Sequence, residues 1–137
     1  MGLKRVTTTG SVIFMAIAGA ALADVIPTCP LPPGAKSVSL ETAPVALRKI
    51  FGDFAPPGAD FDATDVIVTG RNRRLVFIWA RGDRWIVVTE HGGRGYNDPI
   101  FAFHVSADGS SADQVSGSIA VPNTVCSTAL RLMGTNP

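Results

Sequence analysis

The run Arg74-Leu75-Val76-Phe77-Ile78-Trp79-Ala80-Arg81-Gly82-Asp83-Arg84-Trp85-Ile86-Val87-Val88-Thr89-Glu90-His91 decides the fold. It holds two blocks rich in Val, Ile, Phe and Trp, Arg74 to Ala80 and Trp85 to His91. Between them Gly82-Asp83 is the kind of pair that closes a tight hairpin. A two-residue turn there sets Trp79 opposite Ile86 and Phe77 opposite Val88. Leu75, Phe77, Trp79, Ile86 and Val88 then share one face, and Val76, Ile78, Trp85 and Val87 the other. Both faces are apolar, which calls for cover on both sides of the sheet.

Working outward, Asp65 to Thr69 and Ile100 to Ser106 carry the same β signals, and a weaker strand follows from Asp113 to Val121. Gly70-Arg71-Asn72, the loop from His91 to Asp98, and Asp108-Gly109 punctuate these segments. Consecutive strands therefore pair as hairpins without crossovers. The expected fold class is α+β, an antiparallel meander of four to five strands. A small closed β-barrel is the alternative. In the last strand Val115, Gly117 and Ile119 alternate with Gln114, Ser116 and Ser118, the pattern of a half-exposed edge.

Two helices are expected to cover the sheet. Thr42 is placed to cap the main one, with Pro44 in its first turn, Leu47, Ile50 and Phe51 as its apolar stripe and Gly52 as its stop. Arg48 and Lys49 fall near its carboxyl end, where the helix dipole favours positive charge. A short C-terminal helix begins at Pro122-Asn123, carries Val125, Ala129 and Met133 on one side and stops at Gly134. Between the main helix and the sheet, Asp53, Asp60, Asp62 and Asp65 surround Pro56-Pro57-Gly58 without the spacing of a calcium loop, and Phe54 and Phe61 are available to pin that connection down.

The amino terminus reads as a signal peptide over residues 1–23: Lys4 and Arg5 precede an apolar run from Val12 to Leu22 that ends in Ala21-Leu22-Ala23. The run is shorter than the roughly 20 residues a membrane-spanning helix needs. Residues 24–137 are then a single exported domain, periplasmic or secreted. Cys29 and Cys126 are its only cysteines, and an even count in an exported chain favours a disulfide. Chain-entropy reasoning values such a long closure at about 4 to 5 kcal/mol. Pro27, Pro30, Pro32 and Pro33 make the segment around Cys29 a stiff strap, with a short extended piece, Lys36 to Leu40, after it.

Twelve Lys and Arg face eleven Asp and Glu. Without Lys4 and Arg5 the balance is ten against eleven, so no global polyanion-binding signature remains, and no nucleic-acid motif occurs. Local charge differs. Turns alternate between the two ends of a meander, which places Arg71 and Arg73 at the same end as His91, Arg94, Tyr96 and Asp98. Arg81, Asp83, Arg84 and Asp108 lie at the other end, about 20 to 25 Å away.

The candidate ligand-binding residues are Arg71, Arg73, His91, Gly92, Gly93, Arg94 and Tyr96. Glycines in the loop are able to turn N–H groups toward an anion, and guanidinium forks hold carboxylate or phosphate oxygens. The competing reading is a wide hairpin loop whose arginines pair with Asp60, Asp62 or Asp65. A noncatalytic binding or inhibitor-like module for an anionic ligand or partner surface is the leading functional expectation. A small hydrolase-like enzyme centred on His91, with Tyr96 and Asp98, is the alternative, although no nucleophile accompanies it. A structural homo-oligomer joined through its doubly apolar sheet is the third. No cofactor or metal is expected, because His91 and His104 fall too far apart to share a ligand set. Arg81-Gly82-Asp83 spells an adhesion tripeptide but also suits the hairpin turn, and Trp79 and Trp85 read as core.

Overall fold

Five antiparallel strands form one open sheet in a computed structural model that describes residues 28–134. They are β1 (Lys36–Val38), β2 (Arg73–Arg81), β3 (Arg84–His91), β4 (Asp98–Val105) and β5 (Ala112–Ala120), and their spatial order is their chain order. The meander is the α+β arrangement expected. The barrel alternative fails, because β1 and β5 lie at opposite edges and do not pair. The expected signal peptide and the Asp24 start lie outside the described residues.

The central hairpin has the expected two-residue turn: Arg81 pairs with Arg84, Trp79 with Ile86 and Phe77 with Val88. Gly82 takes φ 60 in that turn, a backbone angle that suits glycine. One part of the face assignment is corrected. A register shift between Leu75 and Phe77 inserts an extra residue, so Leu75 crosses to the Ile78 and Val87 side while Val76 joins Trp79 and Ile86.

The expected strand Asp65 to Thr69 is not a strand. The edge position beside β2 is instead shared by β1, which pairs with Ile78, Trp79 and Ala80, and by Ala55, which bridges Arg74. With that edge occupied, Val66, Ile67 and Val68 sit in a loop, 66%, 81% and 81% exposed. β propensity without a partner edge does not make a strand. β5 is the half-exposed edge expected, with its small polar residues turned inward. Its Ser116 and Ser118 pair with Ala102 and Ile100, on the side of the C-terminal helix, whereas Val115 and Ile119 are exposed.

One helix lies on each face. The main helix, α1 (Val45–Phe51), follows a 3-10 turn at Leu40–Thr42. Pro44, not Thr42, is its N-cap, and no side chain caps it. Leu47 and Phe51 are fully buried with Leu75, Val87 and Phe103, but Ile50 of the expected stripe points outward. Burying each such side chain contributes about 1.5–3 kcal/mol. On the opposite face α2 (Val125–Met133) buries Val125, Ala129, Leu132 and Met133 against Trp79, Ile86 and Ile100. It stops at Gly134 in the left-handed conformation, as expected.

Cys126 of α2 forms a disulfide with Cys29, closing a separation of 97 residues and fastening the strap to the helix. Two arginines of the tight hairpin complete the carboxyl end of α2. Arg81 donates to the Met133 carbonyl and Arg84 donates twice to that of Leu132, so positive charge meets the negative end of the helix. No described helix is long and apolar enough to cross a membrane.

Candidate functional site

The loop joining β3 to β4 is built from below by the segment before β2. The Asp62 carboxylate accepts N–H groups from Val68, Thr69 and Gly70, each at 2.8 Å, and so folds the Val66 to Gly70 stretch around itself. Those bonds hold its pKa below the ordinary 3.8, the Thr69 N–H contributing most. The Asp62 N–H in turn donates to the Arg71 carbonyl at 2.6 Å. Gly92 packs directly onto this brace: a Cβ there would lie 2.0 Å from the Asp62 carbonyl oxygen. Only glycine permits that approach.

The Gly92 and Gly93 N–H groups are already used. Gly92 donates to the Asn72 carbonyl at 2.8 Å and Gly93 to the Ala63 carbonyl at 3.0 Å. They therefore stitch the loop to the Asp62 segment and do not converge on an open point. Arg94 extends to Asp65 at 2.9 Å, the pairing anticipated by the competing reading, but its side chain is 92% exposed. Among the described residues neither Asp60 nor Asp62 forms an ion pair with an arginine.

Beneath the loop lies a buried polar group that the sequence did not single out. Arg74 and Glu90 face each other across β2 and β3, with Nε to Oε2 at 2.5 Å. The Tyr96 hydroxyl donates to the other Glu90 oxygen at 2.7 Å, and a second Arg74 nitrogen donates to the Ala59 carbonyl. The guanidinium also lies over the Phe61 ring, 4.2 Å from its centroid, so Phe61 pins the connection by a cation–π contact. The neighbouring Arg and Glu in Arg74-Leu75 and Glu90-His91 gave a weak signal, since each is a charge within an otherwise apolar strand.

Residue alternation sends Arg73 and His91, paired in register, to the other face, the side of α1. There Arg73 lies over Phe54, 5.7 Å from the ring centroid, and joins His91, Thr89, Glu90, Pro99 and Phe101 around a hollow of about 180 Å³; the Glu90 carboxylate is taken by Arg74 and Tyr96. A second hollow of about 260 Å³, lined by Ile50, Asp53, Phe54 and Asn72, holds both Arg71 and Arg73. Among the described residues neither arginine has a carboxylate within ion-pair distance, so Asp53 lines the hollow without pairing to them.

Of the seven candidate residues, the fold thus gathers Arg71, Arg73 and His91 on one concave strip. It commits Gly92, Gly93 and Tyr96 to internal contacts and leaves Arg94 on the outer rim. His91 faces the Asn72 side-chain amide through Nε2 at 3.4 Å, and Tyr96 turns its hydroxyl to Glu90. Asp98 is buried at the start of β4. His104 pairs with Arg84 in register and meets Asp83 at 2.8 Å, at the far end of the sheet from His91. With Arg81 on α2 and Asp83 on His104, both charges of the Arg81-Gly82-Asp83 turn have internal partners.

The far end carries its own groove of about 560 Å³, lined in part by Trp85, Asp83 and Asp108. Trp79 is buried as expected, but Trp85 is only half-buried and forms one wall of that groove. Asp108 is held down to about 2, first by the Ser106 hydroxyl and then by Ser110. Among the described residues no group of three or more His, Cys, Asp or Glu side chains is arranged to hold a metal ion. Compared with protein-family models, with curated proteins and with solved structures, the chain finds no match.

Proposed function

We propose that the protein is an exported, noncatalytic binding module that contacts an anionic ligand or partner surface through the arginine-rich end of its sheet. The contact lies on the α1 side, with Arg71 and Arg73 as the anion-holding groups and His91 beside them. One observation carries this reading: Arg74 and Arg94 are matched to Glu90 and Asp65, whereas Arg71 and Arg73 line a concave strip without an acidic partner. A guanidinium with an open fork and an aromatic floor, here Phe54, suits a carboxylate, sulfate or phosphate. The disulfide is compatible with an oxidising compartment outside the cytoplasm.

The test uses heparin and inorganic phosphate as probes, followed by calorimetry and amide shifts. Arg73→Ala is expected to lose about 1.5–3 kcal/mol of heparin binding, as for a charge-assisted contact, and the loss should shrink with added salt. Melting should be unchanged within about 0.5 kcal/mol. Equal affinity in wild type, Arg71→Ala and Arg73→Ala would rule the site out. Hydrolytic turnover of ester or phosphoester probes that disappears in His91→Ala would replace the binding reading with the enzymatic one.

A further inference from the structure

Beside β2 there is a gap in the sheet edge. β1 pairs only as far as Ile78, and Ala55 bridges at Arg74 with its carbonyl accepting the Leu75 N–H. Between these two neighbours the edge opens into a cleft of about 280 Å³. Its lining is mixed: Val38 and Leu40 on the β1 side, Phe54 on the other and Leu75, itself 1% exposed, give it an apolar part, and Ser39, Glu41 and Arg71 give it a polar one. The volume falls just below the roughly 300–1,000 Å³ usual for small-molecule sites, so the occupant is small.

Charge at the lining is specific. Arg71 lines this cleft as well as the hollow it shares with Arg73, and among the described residues it is the one Lys or Arg in the cleft lining. Its backbone is fixed on both sides: the N–H donates to the Thr69 hydroxyl, and the carbonyl accepts from Asp62 N–H and from the Thr69 hydroxyl. A braced backbone carrying an unpaired guanidinium presents a charge at low ordering cost. Glu41 lines the same cleft and disfavours a second negative charge on the occupant.

We propose that this cleft takes a small monocarboxylate with an apolar body, its carboxylate on Arg71 and its body between Leu40 and Phe54 over Leu75. The proposal rests on the anion-binding reading above and narrows it to a ligand class. The bland alternative is a solvent-filled crease beside a short edge strand, and charge is what separates the two. An apolar crease takes a neutral ligand as well as an anion, whereas a site built on Arg71 prefers the anion and loses that preference with the arginine.

The experiment titrates the full disulfide-bonded protein with 3-phenylpropionate, with the neutral 3-phenylpropan-1-ol and with inorganic phosphate, following backbone amide shifts. The carboxylate is expected to shift Leu40, Phe54 and Leu75 saturably and to bind at least tenfold more tightly than the alcohol. Arg71→Ala should erase that difference, and Arg71→Lys should restore part of it. The same spectra show whether each variant is folded. Unshifted Leu40, Phe54 and Leu75 amides, or equal affinity for acid and alcohol in the wild type, would overturn the cleft proposal. If heparin or phosphate still perturbs Arg73 and His91 in that event, the anion-binding reading survives without this ligand class. If no anion perturbs either region, both are lost.

Discussion

The two faces of the sheet are covered to different degrees. On one, nine-residue α2 buries four side chains, is tied by Cys126 to the strap, and has its last carbonyls satisfied by Arg81 and Arg84. On the other, seven-residue α1 is anchored by Leu47 and Phe51 and by an Ala46 N–H to Gly109 carbonyl bond. It ends at Phe51, whose ring meets Phe54 and Phe101; these two are only half-buried, and the hollow that holds Arg73 and His91 opens beside them. Both faces bury a core, but the α2 face adds the disulfide and the arginine contacts, and the partly open α1 face carries the candidate binding surface. Surface at which a ligand is held must remain uncovered, and a small domain must recover the lost burial elsewhere.

If that division holds, substitutions on the closed side should cost most in melting and least in binding geometry. Glu90→Ala is the largest expected case. It strips the Arg74 guanidinium of its ion-pair partner in a site where the two side chains are 9% and 3% exposed, and takes the acceptor from Tyr96. Breaking one half of a buried pair costs about 3–5 kcal/mol. A denaturant midpoint close to wild type would show the group to be more hydrated than its burial indicates. Cys126→Ser comes next: bridges commonly deliver less than their chain-entropy value, so about 2–4 kcal/mol is expected for loss of this one, which spans most of the described chain. Thermal melting with and without reductant measures it: reductant should lower the wild-type midpoint and leave the variant unmoved.

Much of this fold was legible because its signals were local. The Gly82-Asp83 turn fixed the register of Trp79 and Phe77, and the pattern from Pro122 to Gly134 gave α2 its start, its buried face and its stop. What failed depended on tertiary competition. Asp65 to Thr69 has strand composition, yet β1 and Ala55 hold the available edge. Leu75 changes face through a bulge that no alternation pattern announces. The site was legible as a charge-rich end but not in its wiring. Sequence placed Arg71, Arg73 and Arg94 at one end and offered Asp65 as a partner for its arginines, but only three-dimensional pairing shows that Asp65 takes Arg94 and that Glu90 takes Arg74. Glu90 lies between Thr89 and His91 with nothing in its spacing to point sixteen residues back to Arg74.

The end loop allows a finer comparison between a braced carboxylate and an exposed ion pair. Asp62 has a folded-state pKa below its ordinary 3.8, so its contribution is fully present above 3.8 and is lost as pH falls through the folded value. Melting followed downward from neutral pH should therefore show a decline below 3.8 that Asp62→Asn reduces, since an amide keeps an acceptor but does not titrate. Parallel acid profiles for the two proteins would mean that the brace is not what the pH change removes.

Arg94→Ala should have the smallest effect on stability. Its bond to Asp65 is short, but the two side chains are 92% and 53% exposed, and such pairs contribute about 0–1 kcal/mol after solvent screening and side-chain entropy. The loop it belongs to is positioned instead by Gly92 and Gly93 N–H groups bonded to Asn72 and Ala63, contacts the substitution does not touch. The melting midpoint should hold, and the amide shifts of Gly92 and Gly93 should stay within the spread seen for other surface variants. Amide exchange provides the decisive reading. If Arg94→Ala leaves Gly92 and Gly93 protected, the main-chain stitching sets the loop. If their protection collapses together, the exposed pair is what holds the loop in place, and the concave strip bearing Arg71, Arg73 and His91 depends on a rim charge for its shape.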